Sequence, residues 1–144
     1  MQTTFAFLLL LTVVVNAKKF TKCSLASELA NIGIERSQIK HWVCMAQYES
    51  SFKTYAWGTN KDGSQDHGIF QINDYWNCDP QNGRRTKNGC GHPCSDYRND
   101  DISDDVKCVK QLLREHRGSF SRVSYAYRDY CGRITDSYLS GCSF

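Results

Sequence analysis

The sequence predicts an α+β fold in which a helical part is interrupted by a small β and loop part. Apolar residues recur at helical spacing near both ends of the chain. Between them, an Asp-Gly turn signal and a stretch rich in Gly, Asn and Asp break that periodicity. Eight cysteines indicate four disulfides. We expect a cleft between the two lobes, because ligand sites commonly form at such junctions.

The chain opens with a segment typical of a secretory signal peptide. Residues 5–15 are apolar apart from Thr12, and Val15-Asn16-Ala17 offers small residues at a cleavage site. The apolar run is well short of the roughly 20 residues that a membrane-spanning helix needs. We therefore predict that residues 1–17 are a signal peptide and that residues 18–144 form one secreted domain.

Charge and cysteine spacing argue against two classes of binding protein. The net charge is only +3, and no basic stripe interleaved with aromatic residues occurs, which disfavours a nucleic-acid partner. A zinc site would use Cys90, His92 and Cys94, but zinc sites usually pair two short ligand clusters and the sequence has no second one. We expect the eight cysteines in disulfides, although spacing alone does not assign the pairs.

Two helices are predicted in the first third of the chain. The first ends at Gly33, which can supply a left-handed stop, and its apolar positions are Leu25, Leu29 and Ile32. The second is predicted to be capped by Ser37 and to end near Ser50, and its apolar positions are Ile39, Val43 and Ala46.

A hairpin and a long loop follow. Residues 55–60 and 64–72 flank Lys61-Asp62-Gly63, whose Asp-Gly pair predicts a tight turn. Residues 77–101 have the composition of a loop and contain three cysteines, so disulfides must hold them.

Helical periodicity then returns. A third helix is predicted with Ser103 as its cap and with Asp104 and Asp105 in its first turn, where the helix dipole favours negative charge. Its apolar stripe consists of Val106, Val109, Leu112 and Leu113. Residues 120–130 contain aromatic residues with partial helical spacing, and we predict them as helical.

Carboxylates are the candidate catalytic groups, since the sequence lacks a Gly-x-Ser-x-Gly elbow, a phosphate-binding glycine loop and a His-Glu-x-x-His motif. Glu49 follows a largely apolar stretch near the end of the second helix. Asp66 shares a strand face with Ser64 and Gly68, which leaves room for a ligand. Each also has a plain interpretation, as a surface glutamate and as a polar strand residue, and the residues alone leave both open.

Two segments resemble the c-type lysozymes. Residues 43–52 (VCMAQYESSF) are similar to the segment around the family's catalytic acid, and residues 59–73 (TNKDGSQDHGIFQIN) resemble its hairpin, with the second carboxylate at Asp66. The eight cysteines fall in the family's order, and the likeness runs over residues 18–144. The resemblance implies a lysozyme-like α+β fold with disulfides Cys23–Cys142, Cys44–Cys131, Cys78–Cys94 and Cys90–Cys108.

The resemblance also implies the roles of the two carboxylates. Cleaving a glycosidic bond needs a protonated carboxyl for the leaving oxygen and an ionised one beside the oxocarbenium-like centre, and lysozyme is itself the standard example. Glu49 would be the acid, with a pKa raised by an apolar pocket. Asp66 would stay ionised within hydrogen-bonding reach of Asn60, Ser64 and Asn73. Positions that line the family's sugar cleft are matched by Gln71, Asn73 and Trp76.

The chain departs from the family pattern near the acid. A tryptophan that normally packs there has no counterpart, and either Ser124 or Tyr125 takes its place, so the lining of the Glu49 pocket is left open. The aromatic pair before Cys78 comes one residue early. His67 replaces a usual tyrosine, and we interpret it as a supporting or exposed histidine.

A calcium site is a further candidate. Residues 99–105 resemble the binding segment of calcium-binding lysozymes and lactalbumins, and calcium takes six to eight oxygen ligands. By that likeness Asp104 and Asp105 would bind calcium through their side chains. Asp96 and Asp101 would bind it through their backbone carbonyls. Asn99 would provide the third side chain, where an aspartate is usual. The alternative is that these acidic residues only favour the start of a helix.

The resemblance implies a secreted, monomeric and cofactor-independent muramidase. It would cleave the β-1,4 link between N-acetylmuramic acid and N-acetylglucosamine with retention, bind bacterial peptidoglycan and chitin oligomers, and make no stable membrane insertion. One alternative is a lysozyme-like saccharide-binding or regulatory protein without catalysis. Another is a cationic membrane-active defence protein, which the low charge disfavours. Defence or digestion, the pH optimum and the glycan preference are left open.

Overall fold

The computed structural model describes residues 2–11 and 17–144. The end of the predicted signal peptide, residues 12–16, lies outside the described residues, so the signal peptide stays a prediction. Within the described part, no helix is long and apolar enough to cross a membrane. The helices are α1 (Lys22–Ile32), α2 (Arg36–Ser50), α3 (Ser103–Glu115), α4 (Phe120–Val123) and α5 (Tyr125–Tyr130), and the strands are β1 (Trp57–Thr59), β2 (Gln65–His67) and β3 (Ile72–Asn73).

The predicted α+β architecture is confirmed. The helices form one lobe, and the three antiparallel strands, in the order β1-β2-β3, belong to the other. The loop after β3 contains a short 3-10 helix, Cys94–Arg98, before α3 begins. The C-terminal helical prediction is also confirmed, as the two short helices α4 and α5.

Helix α1 is closed at both ends by its own sequence. The Thr21 side chain accepts a hydrogen bond from the Ser24 N–H, and the Ser24 hydroxyl oxygen accepts one from the Thr21 N–H, which makes a capping box. Gly33 ends the helix in the left-handed region at φ 101°, as predicted.

The predicted cap of α2 is wrong. Glu35 is the N-cap residue, and Ser37 lies inside the first turn, where its hydroxyl donates to Glu35 Oε1 at 2.8 Å. The far end is fixed more firmly, because the buried Ser50 hydroxyl reaches the Ile69 carbonyl oxygen at 2.7 Å. The end of α2, which carries Glu49, is therefore tied to the chain between β2 and β3.

The start of α3 also differs from the prediction. Ile102 is the N-cap residue, and Ser103 is the first helical residue rather than the cap. The Ser103 N–H is satisfied by Asp101 Oδ1 at 2.9 Å. A carboxylate two residues earlier thus provides the acceptor that we assigned to the serine hydroxyl.

The predicted hairpin is present but shorter than its sequence pattern. Asp66 pairs with Gly58 of β1 on one side and with Asn73 of β3 on the other. The turn between β1 and β2 closes as predicted through Gly63, at φ 84°. Gly68 lies beyond β2 at φ 79°, so it does not continue the strand face of Asp66.

Aromatic packing and disulfides tie the elements together within and between the lobes. Trp42 of α2 packs edge-on against Phe70 and Phe120, at centroid distances of 5.6 and 5.9 Å. The described part contains the four disulfides that the resemblance implies, Cys23–Cys142, Cys44–Cys131, Cys78–Cys94 and Cys90–Cys108. The second links α2 to the end of α5, and the last two hold the long loop to itself and to α3.

Candidate active site

A cleft of about 860 Å³ lies between the lobes. Glu49 reaches it from α2 and Asp66 from β2, so each lobe provides one carboxylate. The sequence-predicted residues Asn60, Ser64, Gln71, Asn73 and Trp76 line the same cleft. The structure therefore brings the predicted set together from segments up to 27 residues apart in the chain, from 49 to 76.

Glu49 is half-buried, and opposing effects act on its carboxyl group. Burial is the largest and raises the pKa of Glu49, and the negative charge of Asp66 raises it further. The Ser124 hydroxyl donates to Glu49 Oε1 at 2.5 Å and lowers that pKa, as does the Ala126 N–H. The net direction is upward, which favours the protonated acid.

Ser124 is the residue that contacts Glu49 where the family usually has a tryptophan. It is buried, at 6% exposure, and it caps α5 by accepting the Tyr127 N–H at 3.0 Å. Tyr125 also lines the cleft, but its side chain is 75% exposed. The residue in direct contact with Glu49 is thus a hydroxyl donor, and the cleft that holds both residues is also lined by Leu112, Val123 and Ala126.

Asp66 has a polar environment. Asn60 Nδ2 donates to its Oδ2 at 3.0 Å, and Asn73 Nδ2 donates to its Oδ1 at 2.9 Å. The expected bond from Ser64 to Asp66 is not present. The Ser64 hydroxyl donates to Asp62 Oδ1 at 2.6 Å and accepts from both amides, at 3.1 and 3.0 Å. Ser64 therefore orients the amides that hold Asp66.

The remaining cleft residues offer an aromatic surface and amide groups. Trp76 is more than half exposed, and Lys87 Nζ lies 4.6 Å from the centre of its ring. Gln71 has a left-handed backbone, at φ 52°, and its amide donates to the Gly68 carbonyl oxygen at 2.9 Å. An aromatic face beside amide donors is a common arrangement for sugar binding, because a sugar ring has both an apolar face and hydroxyl edges.

His67 lies behind Asp66 and is buried rather than exposed. Arg98 Nη1 lies 2.5 Å from its Nδ1, and Asp74 Oδ2 lies 3.4 Å from its Nε2. Because arginine can only donate, Nδ1 must be the acceptor and the proton belongs on Nε2. Burial lowers the pKa of His67, and the Arg98 charge adds to that effect. Sequence analysis missed Asp74 and Arg98, since neither lies near His67 in any local pattern.

The residues of the candidate calcium site differ in their hydrogen bonding. Asp105 is buried at 1% exposure, and neither of its carboxylate oxygens has a hydrogen-bond partner among the described residues. Burial raises the pKa of Asp105 well above its ordinary value, and nearby acidic residues raise it further. Asn99 Oδ1 and Asp101 Oδ1 instead accept backbone N–H groups. The orphaned carboxylate fits a cation ligand, because a buried charge requires a partner.

Comparison with known proteins agrees with this geometry. The family model described as "C-type lysozyme/alpha-lactalbumin family" matches residues 18–142. The chain belongs to this family. Lysozyme c-1 of Anopheles gambiae is 42% identical, with 90% of this chain and 88% of the relative covered. The milk isozyme of lysozyme C from Bos taurus is 40% identical, with 94% and 93% covered.

Solved structures show the same relationship. Canine milk lysozyme (apo-type) superposes with a TM-score of 0.80 at 36% identity, covering 88% of this chain and 100% of that chain. The family and the fold that the sequence indicated are therefore confirmed.

Proposed function

We propose that this protein hydrolyses the β-1,4 link between N-acetylmuramic acid and N-acetylglucosamine in bacterial peptidoglycan, with Glu49 and Asp66 as its catalytic residues. The observation that carries the proposal is the contrast between the two carboxyl groups of one cleft. Glu49 is half-buried with a raised pKa, whereas Asp66 accepts two amide hydrogen bonds. Two carboxyl groups held in different protonation states are what glycoside hydrolysis requires.

The reaction follows from these environments. Protonated Glu49 donates to the leaving glycosidic oxygen, and Asp66 stabilises or attacks the oxocarbenium-like carbon. Glu49, now ionised, takes a proton from the water that releases the second product, which gives retention of configuration. Asn60 and Asn73 hold Asp66 during both steps, and Ser64 holds the two amides.

The cleft also indicates the substrate class. Its volume of about 860 Å³ suits several sugar units, and Trp76 offers a ring on which a sugar can stack. Chitin oligomers share the β-1,4-linked N-acetylglucosamine units, so they are expected to bind as well. The net charge of +3 favours approach to anionic cell walls.

Secretion and calcium binding are part of the proposal. Four disulfides fit an extracellular location, and we infer that residues 1–17 are removed to release a monomer. Hydrolysis by two carboxyl groups requires no cofactor. Calcium, where present, would be held by Asp104 and Asp105 with the carbonyls of Asp96 and Asp101, and it would neutralise the buried carboxylate without entering the reaction. Asn99 adds no charge to that set.

The first prediction tests catalysis in a turbidity assay on Gram-positive cell walls. Glu49→Gln keeps the shape of the side chain but removes the transferable proton, so kcat should fall by about 10²–10⁴-fold or more. Asp66→Asn should also reduce kcat. Both variants should still bind chitin oligomers. Glu28→Gln, a glutamate of α1 that does not line the cleft, is the matched control and should keep normal activity.

The same assay separates the alternatives. A saccharide-binding protein without catalysis would bind chitin oligomers but leave the walls intact even as wild type. A membrane-active protein would still kill cells after Glu49→Gln. Near-normal wall lysis by Glu49→Gln would show that the assigned acid is wrong.

A further inference from the structure

The first residues of the predicted domain are fixed to the segment between α2 and β1. Phe20 is buried, and its N–H donates to the Phe52 carbonyl oxygen at 3.0 Å. Lys19 forms an isolated antiparallel bridge with Lys53. The Thr54 N–H donates to the Lys18 carbonyl oxygen at 2.9 Å. Lys18 is therefore held in place although its side chain is exposed.

The backbone nitrogen of Lys18 points at a carboxylate. It donates to Asp100 Oδ1 at 3.0 Å. The Thr54 hydroxyl lies 3.0 Å from the same Asp100 oxygen and 2.8 Å from the Lys18 carbonyl oxygen. Thr54 is only 1% exposed, so water is excluded from one side of this contact. In the uncut chain this nitrogen is an ordinary amide with one proton to donate.

We propose that cleavage between Ala17 and Lys18 converts this contact into an ion pair between the new terminal ammonium group and Asp100. A signal peptidase breaks the Ala17–Lys18 C–N bond with one water, whose hydroxyl goes to the Ala17 carbonyl carbon and whose hydrogen goes to the Lys18 nitrogen. The amine then takes up a proton and the new carboxyl group loses one. The processing site is thus also an anchoring site for the mature amino terminus.

The change strengthens the contact for two reasons. A charge-assisted hydrogen bond is roughly twice as strong as a neutral one, and an ammonium group has two further protons for the Thr54 hydroxyl and water. The other charged groups nearby are the side-chain ammonium of Lys18 itself, which lies 4.3 Å from the centre of the Phe20 ring, Lys19 and Lys53 of the bridge, and Asp101 of the loop. A precursor that keeps residues 1–17 has an uncharged amide nitrogen at Lys18. It therefore lacks this ion pair.

The test compares two amino termini in two backgrounds, in chelator so that calcium does not contribute. One form begins at Lys18, and its matched control begins at Ala17, which keeps the charge but moves it by one residue. Each is made with Asp100 and with Asp100→Asn. In the Asp100 background the Lys18 form should melt about 2–4 °C higher than the Ala17 form. In the Asp100→Asn background that difference should disappear.

A second measurement does not depend on the variant folding. The pKa of the terminal amine is obtained from the pH dependence of its reaction with an amine-modifying reagent in the Lys18 form. Pairing with a carboxylate should raise it above the ordinary value of about 7.7–8.0. The ion pair's contribution to stability should then be complete at neutral pH. It should be lost as the pH rises through the raised pKa of the amine in the folded protein. Equal melting temperatures for the two termini, or an amine pKa at or below its ordinary value, would overturn the proposal.

Discussion

The hydroxyl of Ser124 affects the balance between the protonated and ionised forms of Glu49. Its oxygen accepts the Tyr127 N–H, and its own proton is therefore free to point at Glu49 Oε1. This donor favours the carboxylate form, against the burial that favours the acid. A tryptophan at this position would replace the small hydroxyl side chain with a larger and more apolar one. The chain thus keeps a raised pKa at Glu49 and holds it lower than burial alone would.

The second prediction follows for Ser124→Ala. Without the donor, the pKa of Glu49 should rise further, and the alkaline limb of the pH profile of kcat/KM should move to higher pH, because the acid stays protonated longer. Loss of the α5 cap should also cost about 1 kcal/mol of stability. Ser119→Ala is the control, since Ser119 precedes α4 and makes no side-chain capping bond there. An unchanged alkaline limb would assign Ser124 a purely structural role.

Sequence reasoning identified the proposed catalytic pair and the two asparagines that hold Asp66, but it missed other contacts around the pair. Glu49 and Asp66 lie in long local motifs that can be recognised without knowledge of the fold. The partners of Ser64 and His67 could not be predicted in this way. The Ser64 hydroxyl donates to Asp62 and not to Asp66, and His67 contacts Arg98, which is 31 residues away. A side chain with several acceptors in reach takes the one that packing offers, and packing is not a local property.

At the scale of elements, periodicity predicted which segments are helical, whereas cap residues were less predictable. Gly33 was found because a left-handed stop restricts the residue type strongly. Ser37 and Ser103 were misplaced because several residues near each helix start can satisfy its free N–H groups. The strands were overestimated for a related reason. Their polar ends have the right alternation, but pairing stops where the chain turns at Gly68.

The third prediction concerns the tie between α2 and the β lobe. Ser50→Ala removes the hydroxyl that binds the Ile69 carbonyl oxygen, which leaves a buried acceptor unpaired and should cost about 1–3 kcal/mol of unfolding free energy. Because Glu49 is the neighbouring residue, kcat should fall as well. Chemical denaturation and wall lysis measure the two effects. Ser27→Ala loses a more exposed bond to the Ser143 carbonyl oxygen and should change stability by less than about 0.5 kcal/mol. Equal losses in both variants would contradict the proposed tie.

At the scale of the whole molecule, disulfides and polar contacts hold the long loop that separates β3 from α3. Cys78–Cys94 closes it, and Cys90–Cys108 attaches it to α3. The Thr86 hydroxyl contacts the Cys78 carbonyl oxygen at 2.8 Å. The loop leads directly into Asp105, whose buried carboxylate has no donor among the described residues. The stability of this region should therefore depend on pH and on cations.

The last prediction concerns that dependence. A carboxyl group whose pKa is raised by folding binds its proton more tightly in the native state than in the unfolded state. In chelator, the melting temperature should then fall as the pH rises above the ordinary range for aspartate, because the native state must either keep the proton or bury a charge. Saturating calcium should raise the melting temperature and flatten its pH dependence, since a ligand that binds only the native state stabilises it.

Asp105→Asn is the decisive variant, because it keeps the shape of the side chain without the charge. It should melt higher than wild type in chelator at neutral pH, and calcium should no longer raise its melting temperature. Asp129→Asn, an exposed aspartate of α5, is the control and should respond to calcium as wild type does. Wall lysis should be similar in all three proteins, because Asp105 does not line the cleft. A wild-type melting temperature that is the same in calcium and in chelator would leave Asp105 as a protonated, buried acid with no metal partner.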